Sequence, residues 1–396
     1  MSEAEVHSVV ILGSSFGGTG IAHYLLRHVL PYLPSPAPYK VTMISPSAHL
    51  YWKIASPRTA ARSDLMPLQS LMIPLETGFF SYPEASFEFI QAYASKVDPA
   101  TRLVHLQPVH EQSTQEKPLH YDTLVIATGS STPSALWSPA APKEDTAAAL
   151  KSFQHQLEPA KKIAIMGGGA TGVEIAGELG FDLGKDREVV LYSGTTRLLA
   201  RVRPDVGERA EQYLQDMGVE VVHGVKLVST STTVDGKTEL TLSNGTTTSV
   251  DFFIDARGPR PNTSMLPLSW LNERGYVLVD QFLRATAAGP QSGVYAIGDA
   301  ASYSNGGLLD VWDAVAPLGA VMEYDLSNGK LGAEIAYKRA AKDTMLVPVG
   351  RKRAVGLVHG VWIPNFLGAQ LKKTYMLSHA MEAMMGDKWK KKKTFA

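Results

Sequence analysis

Apolar residues in this chain fall into short unbroken runs separated by glycines, and the order of those runs repeats. Val9-Val10-Ile11-Leu12 leads straight into the glycine cluster at 13–18. A brief, wholly apolar run predicts a strand buried on both faces, as in a parallel sheet. Helical spacing follows over 19–30, stopped by the proline-rich stretch 31–38, and 41–44 predicts the next strand. Strand, glycine turn, helix and strand make one βαβ unit. The same order returns with a strand at 162–166, a turn at 167–169, a helix at 170–179 with Gly180 as its expected C-cap, and a strand at 188–192. The duplication implies two nucleotide-binding domains in one chain, with 139–144 as a loop between them.

The pattern changes twice more. Residues 219–255 alternate strongly and contain the turn pairs Asp235-Gly236 and Asn244-Gly245, which predict antiparallel strands. Beyond about residue 330, Val347, Val349, Val355, Leu357 and Val361 mark further strands, and a basic helix follows. This predicts a third, smaller domain.

At 396 residues the chain has room for two or three domains. Lys+Arg and Asp+Glu both number 38, so no nucleic-acid partner is expected. The balance is local, however. Residues 351–396 carry ten basic and two acidic residues, a basic end on an acidic body. Cysteine is absent. Disulfide scaffolds, Cys-zinc and iron–sulfur sites, a Cys nucleophile and dithiol–disulfide exchange are therefore excluded, and no metal site is expected. No run reaches 18 apolar residues, Glu3 and Glu5 argue against a signal peptide, and Ser2 breaks the N-myristoylation pattern. The expectation is a cytoplasmic protein, with peripheral membrane contact open through its basic end.

The second turn, Gly167-x-Gly169-x-x-Gly172, follows a strand and opens a helix at Ala170 and Thr171. That context suits a dinucleotide. Gly167 allows the tight turn, Gly169 lets the pyrophosphate approach, Gly172 allows close helix–strand contact, and the helix N-terminus offers N–H donors. The first turn reads Gly13-Ser14-Ser15-Phe16-Gly17-Gly18, with Ser15 in the second glycine slot. An acid normally closes the following strand and binds the ribose. Here the two positions are Ser45 and Ser193, both uncharged. With no carboxylate to repel a 2′-phosphate, and with Arg197, Arg201 and Arg203 downstream, NADPH is as well supported as NADH. A solvated face is the alternative role for these arginines.

Two further segments now become readable. Residues 121–130, Tyr121-Asp122-Thr123-Leu124-Val125-Ile126-Ala127-Thr128-Gly129-Ser130, and 294–300, Val294-Tyr295-Ala296-Ile297-Gly298-Asp299-Ala300, resemble two signature strands of the two-dinucleotide flavoproteins. Residues 252–263, with Gly258, Pro261 and Asn262, resemble a third, although Arg257 stands where those proteins usually have Thr. Within that superfamily the chain is most similar to apoptosis-inducing-factor-like proteins of the ferroptosis-suppressor type, through 49–58 and through 347–362. The resemblance implies an α/β fold with two Rossmann-like domains arranged as in glutathione reductase. An FAD domain split into 1–150 and 257–330 would receive an inserted NAD(P)H domain, 151–256, and 331–396 would form the C-terminal domain. It further implies that Ala127, Thr128, Gly129 and Gly298 line the FAD site and that Asp299 bonds the ribityl chain.

The resemblance also implies a reaction, NAD(P)H-dependent reduction of a quinone. Disulfide reductases of this architecture keep a redox Cys pair beside the flavin, and this chain has none. Electrons taken from NADH or NADPH would leave FAD directly for a quinone-like acceptor, another small oxidant or oxygen. Glu174 matches an acid near the nicotinamide, and Arg58 a cation beside the flavin that would stabilise its reduced anion. Lys53 is a weaker catalytic candidate, and Trp312, followed by Asp313, could wall the acceptor pocket. The alternatives are a helix-terminal charge for Glu174, surface cations for Arg58 and Lys53, and a core position for Trp312. Leu309-Asp310 stands where some relatives place a Lys.

From Phe366 to Met385 apolar residues recur at helical spacing, interrupted by Lys372 and Lys373, and Trp389 sits among Lys388 and Lys390–Lys393. Such a segment suits an anionic membrane surface or a helix packed on the flavin domain. Two other functions stay open. One is a biosynthetic flavoenzyme for a dedicated small molecule. The other is a non-catalytic binding protein that keeps the fold.

Overall fold

A computed structural model describes residues 6–34, 37–109, 117–138, 141–289, 292–339, 343–371 and 374–395. Glu3, Glu5, Lys372, Lys373 and the first residues of the 139–144 loop lie outside the described residues.

Strand β1 (His7–Leu12) lies parallel between β2 (Tyr39–Ser45) and β3 (Thr123–Ile126), with Val9 opposite Val41 and Thr123. Its four aliphatic residues divide by strand alternation. Val9 and Ile11 enter one core, and Val10 and Leu12 enter the core on the other face. The unbroken apolar run is explained by that double burial. The first helix, α1, spans Phe16–Tyr24, continues through a single π-helical turn at Leu25–Val29 and ends in a 3-10 turn at Leu30–Tyr32. It therefore starts three residues earlier than helical spacing predicts, at the glycine turn itself. The short helix α2 (Ser56–Ala61) carries Arg58.

In sequence, the second parallel sheet falls between strands of the first. Helix α3 (Lys143–Leu157) leads into β4 (Lys162–Met166), helix α4 (Ala170–Leu183) and β5 (Glu188–Tyr192). In β4, Ile163 and Ile165 enter one core while Ala164 and Met166 enter another, as in β1. Two sequence expectations need correction here. Gly180 does not cap the helix, which runs on to Leu183 with Gly184 at its end. A Cβ on Gly180 would stand 2.5 Å from Val219, so this glycine is required by packing rather than by termination. The region 219–255 is not uniformly antiparallel either. Val219–Val222 and Phe252–Asp255 join the second sheet in parallel, and only Leu227–Thr232, Thr238–Leu242 and Thr247–Val250 form the antiparallel meander.

The chain then returns to the first sheet. Val294–Ala296 pairs in parallel with β3, and helix α5 (Leu308–Leu326) packs against α1. A three-stranded antiparallel sheet, Met345–Val349, Arg353–Val358 and Val361–Trp362, covers the back of α4. Gly177 permits that approach, since a Cβ there would meet the Gly350 nitrogen at 2.5 Å.

The expected C-terminal helix is in fact two, α6 (Asn365–Leu371) and α7 (Leu377–Met384). Tyr375 and Met376, both at positive φ, separate them. The end of the chain folds back on α1. The His23 Nε2 lies 2.7 Å from the Met384 carbonyl oxygen, Arg27 donates to the carbonyls of Met385 and Gly386, and the His28 Nε2 lies 2.6 Å from that of Trp389. Trp389 is buried on Gly20 of α1.

Candidate functional site

The two glycine turns have nearly the same geometry. Gly13 and Gly167 have φ of +106° and +131°. A Cβ on either would strike a backbone carbonyl, that of Ala127 at 2.3 Å or that of Ala256 at 2.4 Å. One helical turn on, a Cβ on Gly18 or Gly172 would lie 1.8 or 1.7 Å from the carbonyl oxygen of Gly13 or Gly167. Gly17 approaches Ile297, so the first turn also meets the strand at 294–296.

Ser15 and Gly169 take the N-cap positions of α1 and α4, with φ/ψ of −84°/−158° and −80°/−175°. The serine therefore adopts the backbone of the glycine it replaces. Its Oγ is buried and lacks a hydrogen-bond partner among the described residues, while the space above Gly169 is open to 4 Å. A buried hydroxyl without a partner is costly unless a ligand satisfies it. The residues present fit a pyrophosphate at both helix N-termini. Phe16, Ala170 and Thr171 begin the two helices.

The strand ends also match. Ser45 accepts from the Ser47 N–H, and Ser193 lies 3.0 Å from the Thr195 hydroxyl. The three downstream arginines are engaged within the protein. Arg197 donates to the carbonyls of Val202 and Ala200, Arg201 to that of Asn305, and Arg203 pairs with Asp205. Arg257, in the slot where Thr was expected, pairs with Asp255.

Where the chain crosses between the sheets, Ser130 pairs with Pro261, and Thr128 and Asn262 exchange side-chain to carbonyl bonds. Gly129 and Gly258 both border open space. Gly298 starts the turn that carries Asp299. The Asp299 carboxylate accepts from Ser130 and Ser304 at 3.2 and 2.9 Å, and Lys53 Nζ is 4.0 Å from it. Lys53 is thus a half-buried partner of Asp299 rather than a free surface cation. Trp312 is buried, 6.2 Å from Trp52 between ring centres, with Lys388 Nζ 4.3 Å from its ring centre.

Arg58 lies at the junction of three parts of the chain. Its Nε and Nη2 donate to Glu178 Oε1 on α4 at 3.0 and 2.6 Å. Its guanidinium carbon stands 4.8 Å over the Tyr375 ring, and the Tyr375 hydroxyl donates to the same Glu178 oxygen at 3.3 Å. All three side chains are buried, as is Glu174 one turn earlier on α4. Burial works against the Arg58 charge, but the Glu178 hydrogen bonds and the carboxylates of Glu178 and Glu174 outweigh it and raise its pKa. Burial first, then Glu174 and Glu178, push the Tyr375 hydroxyl well above its usual range.

Of this buried group, the sequence pattern singles out Arg58 and Glu174 but not Glu178 or Tyr375. Glu178 follows Glu174 by four residues, the spacing that puts two helical side chains on one face, so a signal existed. Tyr375 had none, because its contact spans 197 residues.

A two-sheet α/β architecture with a glycine-turn helix on each sheet defines a class that carries two dinucleotides. Residues 7–317 match the family described as Pyridine nucleotide-disulphide oxidoreductase, and the chain belongs to it. It is an oxidoreductase whose family cofactors are FAD and NAD(P)H. Over 96% of its length the chain is 32% identical to Oxidoreductase ptaL of Pestalotiopsis fici, covering 99% of that protein. It is 31% identical to Oxidoreductase phnG of Penicillium herquei, with 97% of each covered. Ferroptosis suppressor protein 1 of Xenopus tropicalis is similar at 22% identity over 94% of both chains. Among solved structures, the sulfide:quinone oxidoreductase of Aquifex aeolicus shares the fold at a TM-score of 0.70 and 17% identity, covering 96% of this chain and 92% of that one.

Proposed function

We propose that this chain takes hydride from NADH or NADPH on its second nucleotide unit and passes the electrons, by way of FAD on its first, to a quinone-like acceptor. FAD would supply the site that accepts hydride and releases electrons. Gly13, Ser15, Phe16, Gly17 and Gly18 bind its pyrophosphate, with Ser15 Oγ as an added donor. Ser45 lies at its ribose, Ala127, Thr128, Gly129, Gly258 and Gly298 line it, and Asp299 holds the ribityl chain. Gly167, Gly169, Ala170, Thr171 and Gly172 bind the pyridine nucleotide, with Ser193 and Arg197 at its adenosine end. The units correspond to 1–150 with 257–330, 151–256 and 331–396.

The observation that carries this reading is the buried Arg58–Glu178 pair, which ties the first unit to the helix of the second. Arg58 provides a fixed cation where reduced flavin would need one, and Glu174 orients the nicotinamide. With no cysteine in the chain, electrons have no dithiol to pass through. Lys53 holds Asp299, and Trp312 walls the acceptor side. The quinone in the name of the Aquifex aeolicus neighbour supports this acceptor class.

Peripheral contact with an anionic membrane belongs to the same reading. Phe366 and Val361, 76% and 65% exposed, would supply apolar surface, and Lys390, Lys391 and Lys393 the charge. Trp389 would not take part, because it is buried. No helix among the described residues is long and apolar enough to cross a membrane.

A second reading, a flavoenzyme for one dedicated small molecule, is favoured by the identity pattern. The two fungal relatives at 31–32% bear only the name oxidoreductase, whereas the ferroptosis suppressor protein stands at 22%. Steady-state oxidation of NADH and NADPH against a panel of quinones, on protein with its flavin verified by absorbance, separates the two. Turnover with several quinones supports the first reading. Flavin-loaded protein that ignores all of them supports the second.

A further inference from the structure

The buried group around Arg58 contains more than an ion pair requires. Glu178 is 0% exposed. Its Oε1 accepts from Arg58 Nε, Arg58 Nη2 and the Tyr375 hydroxyl, while its Oε2 has no hydrogen-bond partner among the described residues. Among the described residues, the bonds made by this carboxylate are therefore concentrated on one oxygen, against one cation and one hydroxyl. Replacing such a group by apolar residues is often neutral or stabilising, so the ion pair alone is weak evidence of a stabilising role.

Tyr375 is held with unusual care. Its φ is +48° and that of Met376 is +56°, two consecutive non-glycine residues in the left-handed region. Its carbonyl accepts from the indole N–H of buried Trp52 at 2.8 Å. That turn breaks the C-terminal helix and sends the ring under the Arg58 guanidinium, with the hydroxyl toward Glu178. Strain of this kind persists where the surrounding structure fixes it, and it points toward function.

We infer that Glu178 and Tyr375 are positioning residues that set how much positive charge Arg58 presents to the flavin. This rests on the placement of Arg58 beside the flavin proposed above. The two residues act with opposite sign. Glu178 offsets the guanidinium charge, so it makes the anionic reduced flavin less favourable. The Tyr375 hydroxyl donates to the same carboxylate, partly withdraws its charge, and so restores some of the cation. Each comes from a different segment, Arg58 from α2, Glu178 from α4 and Tyr375 from the turn between α6 and α7. The C-terminal segment thereby reaches the redox centre without touching it.

The test is the two-electron midpoint potential of the holoprotein, read by equilibration with a redox dye, for wild type, Glu178→Gln, Tyr375→Phe and Arg58→Lys. Glu178→Gln is isosteric and removes one charge. It is expected to raise the potential by about 30 mV, a tenfold change in the reduced-to-oxidised ratio for a two-electron couple. Tyr375→Phe is expected to lower it by a smaller amount. A defect in folding alone would not move the two variants in opposite directions. Should Glu178→Gln fail to retain flavin, the downward shift in Tyr375→Phe decides alone. A potential that moves in Arg58→Lys but in neither of the other two overturns this inference and leaves the placement of Arg58 standing. No movement in any of the three removes that placement as well.

Discussion

The two nucleotide turns provide an internal comparison within one chain. At Gly13 and Gly167, and again at Gly18 and Gly172, the backbone meets the same obstacle at nearly the same distance. They diverge at the pyrophosphate position. There Gly169 leaves open space, whereas Ser15 takes the same conformation and adds a buried hydroxyl with no partner. Glycine at the first two pairs is demanded by the fold, while at the third no neighbouring atom within 4 Å requires it. The two helices also differ behind the turn. The α4 helix meets the C-terminal sheet through Gly177, a contact of backbone on backbone. The α1 helix grips the end of the chain through His23, Arg27 and His28.

The largest effect should come from the shared glycines. Gly18→Ala and Gly172→Ala drive a Cβ into a backbone carbonyl that cannot yield, and each should cost roughly 3 kcal/mol or more. Denaturant titration measures it, and a marked inequality between the two would end the structural equivalence of the turns.

Acid should then distinguish the backs of the helices. Burial lowers His23 from 6.5 to about 4, with its bond to Met384 opposing that fall only in part. A base with a depressed folded pKa is neutral in the native state but takes a proton in the unfolded chain. Its contribution is complete above pH 6.5 and is lost as pH falls toward 4, on the order of 3 kcal/mol. Stability measured from pH 7 to 4 should fall less steeply in His23→Phe. Parallel curves would show that His23 does not control the acid response of the tail.

Ser15→Ala should weaken FAD retention by about 1 kcal/mol, the worth of one hydrogen bond, read as a rise in the flavin dissociation constant. Its counterpart Gly169→Ala should leave folding unchanged, because the added Cβ meets nothing, and raise the KM for NAD(P)H several-fold. If Gly169→Ala instead changed stability and left KM alone, the open space would not be the nucleotide's. The smallest effect belongs to Arg203→Ala. That exposed pair with Asp205 is worth at most about 1 kcal/mol, and the ratio of NADPH to NADH turnover should hardly move.

Much of this architecture can be read locally. The strands Lys162–Met166 and Glu188–Tyr192 have the bounds that their apolar runs suggest, because burial on both faces leaves no polar alternation to blur the ends. Local signals mislead where a residue serves a distant neighbour. Gly180 resembles a cap but makes room for Val219, and Val219–Val222 alternates like a hairpin strand yet pairs in parallel with β5. Trp389 sits in a lysine run that suggests a solvated tail, but α1 buries it and Glu323 binds Lys392. Of the buried group around Arg58, motif position singles out Arg58 and Glu174. Glu178 follows Glu174 at helical spacing, but its pairing with Arg58 and the place of Tyr375 beneath it depend on how three separate segments meet, which no single stretch of sequence encodes.

The proposed path carries electrons from a pyridine nucleotide held by Gly167–Gly172 to a flavin held by Gly13–Gly18. Anaerobic titration of the purified holoprotein with NADH and NADPH, following visible absorbance, tests it most directly. Bleaching of the flavin bands, complete near one equivalent of at least one nucleotide, is the predicted result. A protein that purifies with no flavin and cannot be loaded, or whose bands persist under excess of both nucleotides, would contradict it.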